Sequence, residues 1–206
     1  NDLRNLLDGP GLSVYVMRHE GAVVATALVS MEGGFDAPLI DDICAGRRRP
    51  RGHLIPQSLM AHLGLKSAGE LHCARVMRIA VHPALQRRGM GRRLLQHVKT
   101  DAKSQGADLL GASFGATPSL LTFWRSEGLW PTRVGFRRGH SSGEHSVLVL
   151  SPLSDAGEVI VAEARTCLLD DLAQSLSDPL RDLDAGGAAL LLQQKTAMKE
   201  IEIQTH

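Results

Sequence analysis

Aromatic side chains are scarce in this chain of 206 residues, where they make up 3% and Tyr15 is the only tyrosine. This shortage excludes an RNA-binding domain built on rows of stacking aromatics. Three widely spaced cysteines, Cys44, Cys73 and Cys167, give neither a disulfide framework nor a zinc site. That pattern fits a reducing compartment, so we expect a cytoplasmic protein. No apolar run approaches the ~20 residues of a membrane-spanning helix, so we expect no membrane contact.

The net charge of +1 conceals an uneven distribution. Residues 1–153 carry 19 basic and 12 acidic side chains, whereas residues 154–206 carry 4 and 10. A basic body predicts an anionic partner. The alternative is that the acidic tail docks on the body and neutralises it. Because the chain starts with Asn1 and shows no signal-peptide pattern, we expect a fragment of a longer protein.

Predicted strands alternate with helices, which indicates a mixed α/β (α+β) fold. Strands are predicted at residues 13–18, 22–31, 75–81, 108–114, 133–138 and 146–150, the last two joined by a turn around Ser141-Ser142-Gly143. Helices are predicted at residues 37–45, 58–65, 91–105 and 117–128. From Ser154 onwards the pattern is helical, in two segments divided near Asp178-Pro179. We therefore expect a body of residues 1–153 and a helical C-terminal extension of residues 154–206.

A glycine-containing loop follows the strand predicted at residues 75–81. It reads Gln86-Arg87-Arg88-Gly89-Met90-Gly91 and opens an amphipathic helix. Glycines let backbone N–H groups converge on a phosphate, and the helix N-terminus adds about half a positive charge. The Lys-Ser/Thr ending of a P-loop and the first glycine of the dinucleotide fingerprint are both missing. The structural alternative is a helix start that is merely made compact by glycine.

This loop, with the preceding Arg78-Ile79-Ala80-Val81-His82-Pro83, resembles the coenzyme A pyrophosphate loop of the GCN5-related N-acetyltransferase (GNAT) superfamily. The match to the superfamily covers roughly residues 12–150. Further blocks resemble the acetyltransferase domain of the tRNA(Met) cytidine acetyltransferases, in the same order and over nearly the whole body. They are the segments 47–52, 57–59, 113–117, 123–124, 141–143 and 151–157. The resemblance implies a largely antiparallel mixed sheet flanked by helices.

The resemblance also implies acetyl-CoA as the cofactor. Its pantetheine arm would lie along Ile79, Ala80 and Val81. Its pyrophosphate would be held by Gln86, Arg87, Arg88, Gly89, Met90, Gly91 and Arg92. The family's acidic and basic contacts in the helix after residue 117 are not carried over, because this chain has Ser119 and Ser126 there, and Leu129 where a phenylalanine is usual. ATP or GTP would bind only in an ATPase/helicase-like module of the same polypeptide, and this chain has no Walker motif.

The reaction that the resemblance implies is direct attack of the cytosine N4 amine, at the tRNA wobble position, on the thioester. Catalysis would rest on positioning and on N–H donors near Val81. His82 is a candidate base, although a histidine before proline at a strand end is also a common capping residue. Weaker candidates are His53, His72 and Glu127, with Cys73 as an acyl-carrying nucleophile. We assign no general acid.

Two groups of arginines could grip tRNA phosphates, with the target base turned out into a pocket. The groups are Arg47, Arg48, Arg49 and Arg51, and Arg125, Arg133, Arg137 and Arg138. The alternative is that both are solvated surfaces. Two other functions stay open at this point: an N-acetyltransferase for protein or small-molecule amines, and a non-catalytic module that binds RNA or coenzyme A.

Overall fold

A computed structural model describes residues 11–139 and 143–192 of the chain. Its strands are β1 Leu12–His19, β2 Ala22–Gly33, β3 His72–Val81, β4 Leu109–Gly115, β5 Trp130–Arg138 and β6 His145–Pro152. Its helices are α1 Ala37–Cys44, α2 Leu54–Leu63, α3 Met90–Ser104, α4 Pro118–Ser126 and α5 Asp155–Ser177. Residues 185–192 are also helical. Ser141 and Ser142 of the predicted turn, and the predicted tail helix beyond residue 192, lie outside these residues.

The strands form one sheet in the order β1-β2-β3-β4-β6-β5. Neighbouring strands are antiparallel in the pairs β1–β2, β2–β3 and β5–β6, and parallel in β3–β4. The predicted fold class, a mixed and largely antiparallel sheet with helices, is therefore confirmed.

Contacts divide the chain into two compact units. The first comprises Asn1–Ala112 and Ser151–Val161. In it, α3 buries Leu94, Leu95, Val98 and Ala102, which is the apolar face that the helical periodicity predicts. A smaller cluster of Phe35, Ile40, Ile43 and Met60 holds α1 against α2.

The second unit comprises Ser113–Leu150 and Ala162–His206. Its helix α4 begins as predicted, with the Thr117 side chain accepting the N–H of Leu120 and Pro118 in the first turn. The Arg125 and Arg165 guanidinium groups lie 5.6 and 4.3 Å from the centre of the Trp130 ring. Burial, and then the charge of Arg125, lower the pKa of Arg165. The boundary proposed after residue 153 stays a prediction.

Helix α2 begins at Leu54, four residues before its predicted start at residue 58. The cause is a distant residue. The buried Glu32 carboxylate of β2 accepts the Ile55 N–H at 2.9 Å and so satisfies a donor of the first helical turn. Strand β3 likewise begins earlier than predicted, at His72. There the main-chain N–H of Asp108 donates to the His72 carbonyl, and the Asp108 carboxylate accepts the His72 N–H.

Among residues 11–139 and 143–192, no helix combines the length and the apolar character needed to span a bilayer.

Candidate active site

Strand β3 has an open edge over its last five residues. The parallel ladder with β4 covers only Cys73–Val76, paired with Leu109–Ala112. Strand β3 continues to Val81, and β2 stays paired with its other edge as far as Val81. The register shift between Leu28 and Val29 leaves Met77 as an extra residue, and such a bulge bends a strand. An extended ligand could therefore bind the edge of Met77–Val81 as an additional strand. The predicted Ile79, Ala80 and Val81 lie on this segment.

The loop after β3 is tied back to the strand end. The Gln86 side-chain amide donates to the Val81 carbonyl at 3.2 Å. Two residues of the loop have positive φ, Arg87 at +60° and Gly89 at +80°. A positive φ is uncommon for a residue with a side chain and is typical of functional loops. This conformation explains why glycine is needed at position 89.

The loop ends at an uncapped helix N-terminus. Gly89 is the N-cap of α3 and has no side chain to accept the N–H group of Gly91 or Arg92. The first turn contains no acidic residue, and Arg87 and Arg88 are exposed beside it. A Cβ added to Gly89 would meet no atom within 4 Å, so the space next to it is open. Amide donors, the helix dipole and the arginines lie together here, and this combination is suited to a phosphate or pyrophosphate.

His82 lies between this edge and this loop. Its Nδ1 accepts the Ala84 N–H at 3.3 Å, and its own main-chain N–H donates to the Val24 carbonyl at 2.8 Å. The ring therefore caps the short 3-10 helix Pro83–Leu85, as the structural alternative expects. The residue as a whole is exposed.

The weaker candidates are placed differently. Cys73 is buried, and burial raises the pKa of its thiol, so the reactive thiolate is disfavoured. His72 is exposed at the start of β3. Glu127 belongs to the second unit, where its carboxylate accepts the Ser126 hydroxyl at 3.4 Å. His53 lies in a cleft of the first unit.

This cleft has a volume of about 610 Å³ and lies between α1, α2 and β3. It contains a residue that the sequence analysis missed, Arg75, whose Nε is ion-paired with the buried Glu32. A signal was available, because an acidic residue inside the apolar strand Ala22–Gly33 needs a partner. The partner is 43 residues away, and spacing alone does not identify it.

The two arginine groups differ in how many of their side chains have partners. In the first unit, Arg47 is paired with Asp42 at 2.7 Å, whereas Arg48, Arg49 and Arg51 are exposed and have no polar partner among the described residues.

In the second unit, Arg125 donates to the Leu190 carbonyl at 3.1 Å, and Arg138 donates to two backbone carbonyls. Arg133 is half-buried, and desolvation lowers its pKa. Arg137 is exposed. The loop of residues 47–51 is thus the better presented group.

The fold is that of the GNAT acetyltransferases. The crystal structure of the ribosomal-protein-S18-alanine N-acetyltransferase from Escherichia coli matches with a TM-score of 0.50 at 18% identity, covering 76% of this chain and 78% of that one. At this identity the likeness concerns the fold alone.

The chain belongs to the GNAT acetyltransferase 2 family, which it matches over residues 1–108 and 94–154. The tRNA(Met) cytidine acetyltransferase TmcA of Nitrosococcus halophilus (strain Nc4) is 53% identical over 191 residues, 93% of this chain and 26% of that protein. The protein of that name from Haloarcula marismortui is 40% identical over 184 residues, 89% of this chain and 24% of that protein. The chain thus spans about a quarter of the length of these curated relatives.

Proposed function

We propose that this chain is an acetyl-CoA-dependent N-acetyltransferase domain that forms N4-acetylcytidine at the wobble position of tRNA(Met). The observation that carries the proposal is the open edge of β3, which leads directly into an uncapped, arginine-flanked helix N-terminus. The relative that is 53% identical, named a tRNA(Met) cytidine acetyltransferase, supports the choice of acceptor.

The chemistry of the donors fits acetyl-CoA. The backbone groups that Ile79–Val81 present at the open edge suit the amides of a pantetheine arm, and the loop from Gln86 to Arg92 suits a pyrophosphate. When bound, acetyl-CoA supplies an acetyl group activated as a thioester. The residues of this chain would hold it in an extended form, with the pyrophosphate beyond Val81 and the thioester towards Met77, and backbone N–H donors of this open edge would face the charge that develops on the acyl oxygen.

Positioning carries most of the catalysis in this proposal. The N4 amine of cytosine is a poor nucleophile because its lone pair is delocalised into the ring, but it needs no prior deprotonation. A thiol with a pKa of ~8.5 is a tolerable leaving group without a dedicated acid. This fits the placement of Tyr15, whose hydroxyl is engaged by Asp101 of α3.

The remaining parts of the proposal concern partners. The exposed arginines of residues 48–51 are the first candidates for tRNA phosphates. The rest of a longer polypeptide would supply an ATPase/helicase-like module that presents the anticodon, and the reaction would take place in the cytoplasm. The body of residues 1–153 would be the catalytic domain, and residues 154–206 its helical extension.

The test combines two measurements. Titration calorimetry with acetyl-CoA should show one site, and mass analysis of nucleosides after incubation with acetyl-CoA and tRNA(Met) should show acetylcytidine. Acetylation of peptide or polyamine amines, with none of the tRNA, would instead indicate an N-acetyltransferase for those amines. Cofactor binding without transfer to any acceptor would indicate a non-catalytic module. Absence of acetyl-CoA binding would contradict the enzyme assignment altogether.

A further inference from the structure

The cleft between α1, α2 and β3 contains an arginine held in one orientation. The Glu32 carboxylate is inaccessible to solvent, and the Arg75 side chain is 15% exposed. One carboxylate oxygen pairs with Arg75 Nε, and the other accepts the Ile55 N–H at 2.9 Å. With both oxygens engaged, the carboxylate is held in place and directs the Nε edge of the guanidinium group towards β2.

The guanidinium nitrogens that Glu32 does not bind remain as donors. Among the described residues, Arg75 has no hydrogen bond beyond the one from Nε, and its side chain lines the cleft. Arginine presents its N–H groups as a planar fork, which suits two neighbouring acceptor atoms of a planar ligand.

The strand end that carries Glu32 is hydrogen-bonded to the start of α2. The next residue, Gly33, donates its N–H to His53 Nδ1 at 3.0 Å, and the His53 ring packs edge-on against Phe35. Gly33 has φ +88°, and a Cβ there would lie 2.0 Å from the Leu71 carbonyl oxygen, so this position needs glycine. The ends of β2 and α2 are thereby held together around the cleft.

The cleft lies beside the open edge of β3. Arg75 is two residues before Met77, where the open edge begins, so the two are about 7 Å apart along the strand. A planar ligand on the Arg75 fork is therefore within reach of an acyl group carried along that edge.

The charge of the site favours a neutral ligand over an anion. Glu32 already compensates Arg75, and its buried carboxylate would repel a phosphate at the same fork. A phosphate would instead be taken by Arg49 at the rim of the cleft, where the side chain is exposed and unpaired among the described residues.

We propose that Arg75 binds the acceptor cytosine through its O2 and N3 atoms and that Glu32 positions Arg75 for this contact. This inference rests on the proposed function. Cytosine carries these two acceptors side by side, with the N4 amine beside N3 on the same edge, so a fork on O2 and N3 holds the base in its own plane and leaves the faces of N4 uncovered. Uracil has an N–H at position 3, which would oppose an arginine donor.

The test is a double-mutant cycle on the acetylation rate of tRNA(Met), measured by nucleoside mass analysis with saturating acetyl-CoA. One change is Arg75→Lys, which keeps the charge for Glu32 and loses the fork. The other is a tRNA whose target base is 3-deazacytosine, which lacks the N3 acceptor. Arg18→Lys on β1, where the guanidinium donates to the Gly21 carbonyl and to no other group among the described residues, is the control.

Arg75→Lys should slow acetylation of normal tRNA by between about fivefold and 150-fold, the range for one bidentate base contact. It should leave acetyl-CoA affinity unchanged, which shows that the variant is folded. The 3-deaza base should slow the wild-type protein and add little to the loss in Arg75→Lys. Two losses that simply multiply, or a wild-type rate that is insensitive to the 3-deaza base, would overturn the assignment of Arg75. If wild-type protein acetylates no cytosine at all, the proposed function itself fails.

Discussion

The Tyr15 hydroxyl of β1 donates a hydrogen bond of 2.5 Å to the Asp101 carboxylate of α3. Burial, this hydrogen bond and the charge of Asp101, in that order, raise the pKa of Tyr15 to about 12. Tyr15 is the only tyrosine of the chain, so the side chain that would be the usual proton donor to a leaving thiolate is used here to join a strand to a helix.

The contact with Asp101 should be visible in the alkaline titration of Tyr15. Because its folded-state pKa lies above the unfolded value of 10, the contribution of Tyr15 to stability is fully present below pH 10 and is lost as the pH rises towards 12. Tyrosinate absorbance, which reports a single residue here, should rise with a midpoint near 12 in the folded protein. In Tyr15→Phe the alkaline loss of stability should be smaller, and Asp101→Asn should lower the midpoint. A midpoint near 10 in wild-type protein would contradict the contact.

Gly157, near the start of α5, should be intolerant of alanine. A Cβ there would lie 2.2 Å from the Asp108 carbonyl oxygen. Helix propensity alone predicts that Gly157→Ala stabilises the protein by about 1 kcal/mol, whereas the close approach predicts a destabilisation of about 1–3 kcal/mol. The sign of the change in urea unfolding free energy therefore decides between them. The Ser154 hydroxyl accepts the Gly157 N–H and donates to the Asp108 carboxylate. Ser154→Ala removes both hydrogen bonds and should destabilise the protein by about 1 kcal/mol.

Much of the fold could be predicted because its signals are local. The apolar face of α3 recurs at helical spacing, and Thr117-Pro118 marks the start of α4 within two residues. The start of α2 could not be predicted, because its first turn is satisfied by Glu32, 23 residues before Ile55. No local pattern carries that information.

The same distinction applies to the candidate site. The loop from Gln86 to Gly91 is contiguous, so its glycines and its place after a strand are visible in the sequence. The pairing of Glu32 with Arg75 depends on the register of β2 against β3, which places Glu32 opposite Cys73. That register includes a bulge at Met77, and hydrophobic alternation in the two strands does not locate it.

Gly91→Glu should abolish acetyl-CoA binding without unfolding the protein. Gly91 is the second residue of α3, where an acidic side chain interacts favourably with the helix dipole and so stabilises the helix. The same carboxylate would occupy the proposed position of the pyrophosphate and repel its negative charge. Each charge-assisted hydrogen bond lost there contributes ~1.5–3 kcal/mol. Calorimetry should show an affinity below detection, with a melting temperature equal to or above that of wild type.

Thr100→Glu is the matched control for this change. It adds the same charge to an exposed position of the same helix, nine residues further on and so about 13 Å away. Its acetyl-CoA affinity should stay close to that of wild type. Equal affinities in all three proteins would remove the basis for placing the pyrophosphate at this helix start.

Removal of the exposed loop arginines should reduce the salt dependence of tRNA binding. Arg48, Arg49 and Arg51 have no polar partner among the described residues, whereas Arg47 is paired with Asp42. Each phosphate contact with single-stranded RNA contributes about 0.7 to the slope of log affinity against log salt concentration, so the triple alanine variant should lower the slope by about 2.

Arg47→Ala alone is the control and should change the slope less than any single replacement among the other three, because its ion pair already competes with a phosphate. Fluorescence anisotropy with labelled tRNA(Met) at several salt concentrations measures both variants. Acetyl-CoA affinity should be the same in all of them, because the loop from Gln86 to Arg92, where we propose that the pyrophosphate binds, is untouched. A slope that does not change in the triple variant would show that the loop is a solvated surface, and Arg133, Arg137 and Arg138 would then be the remaining candidates for the RNA contact.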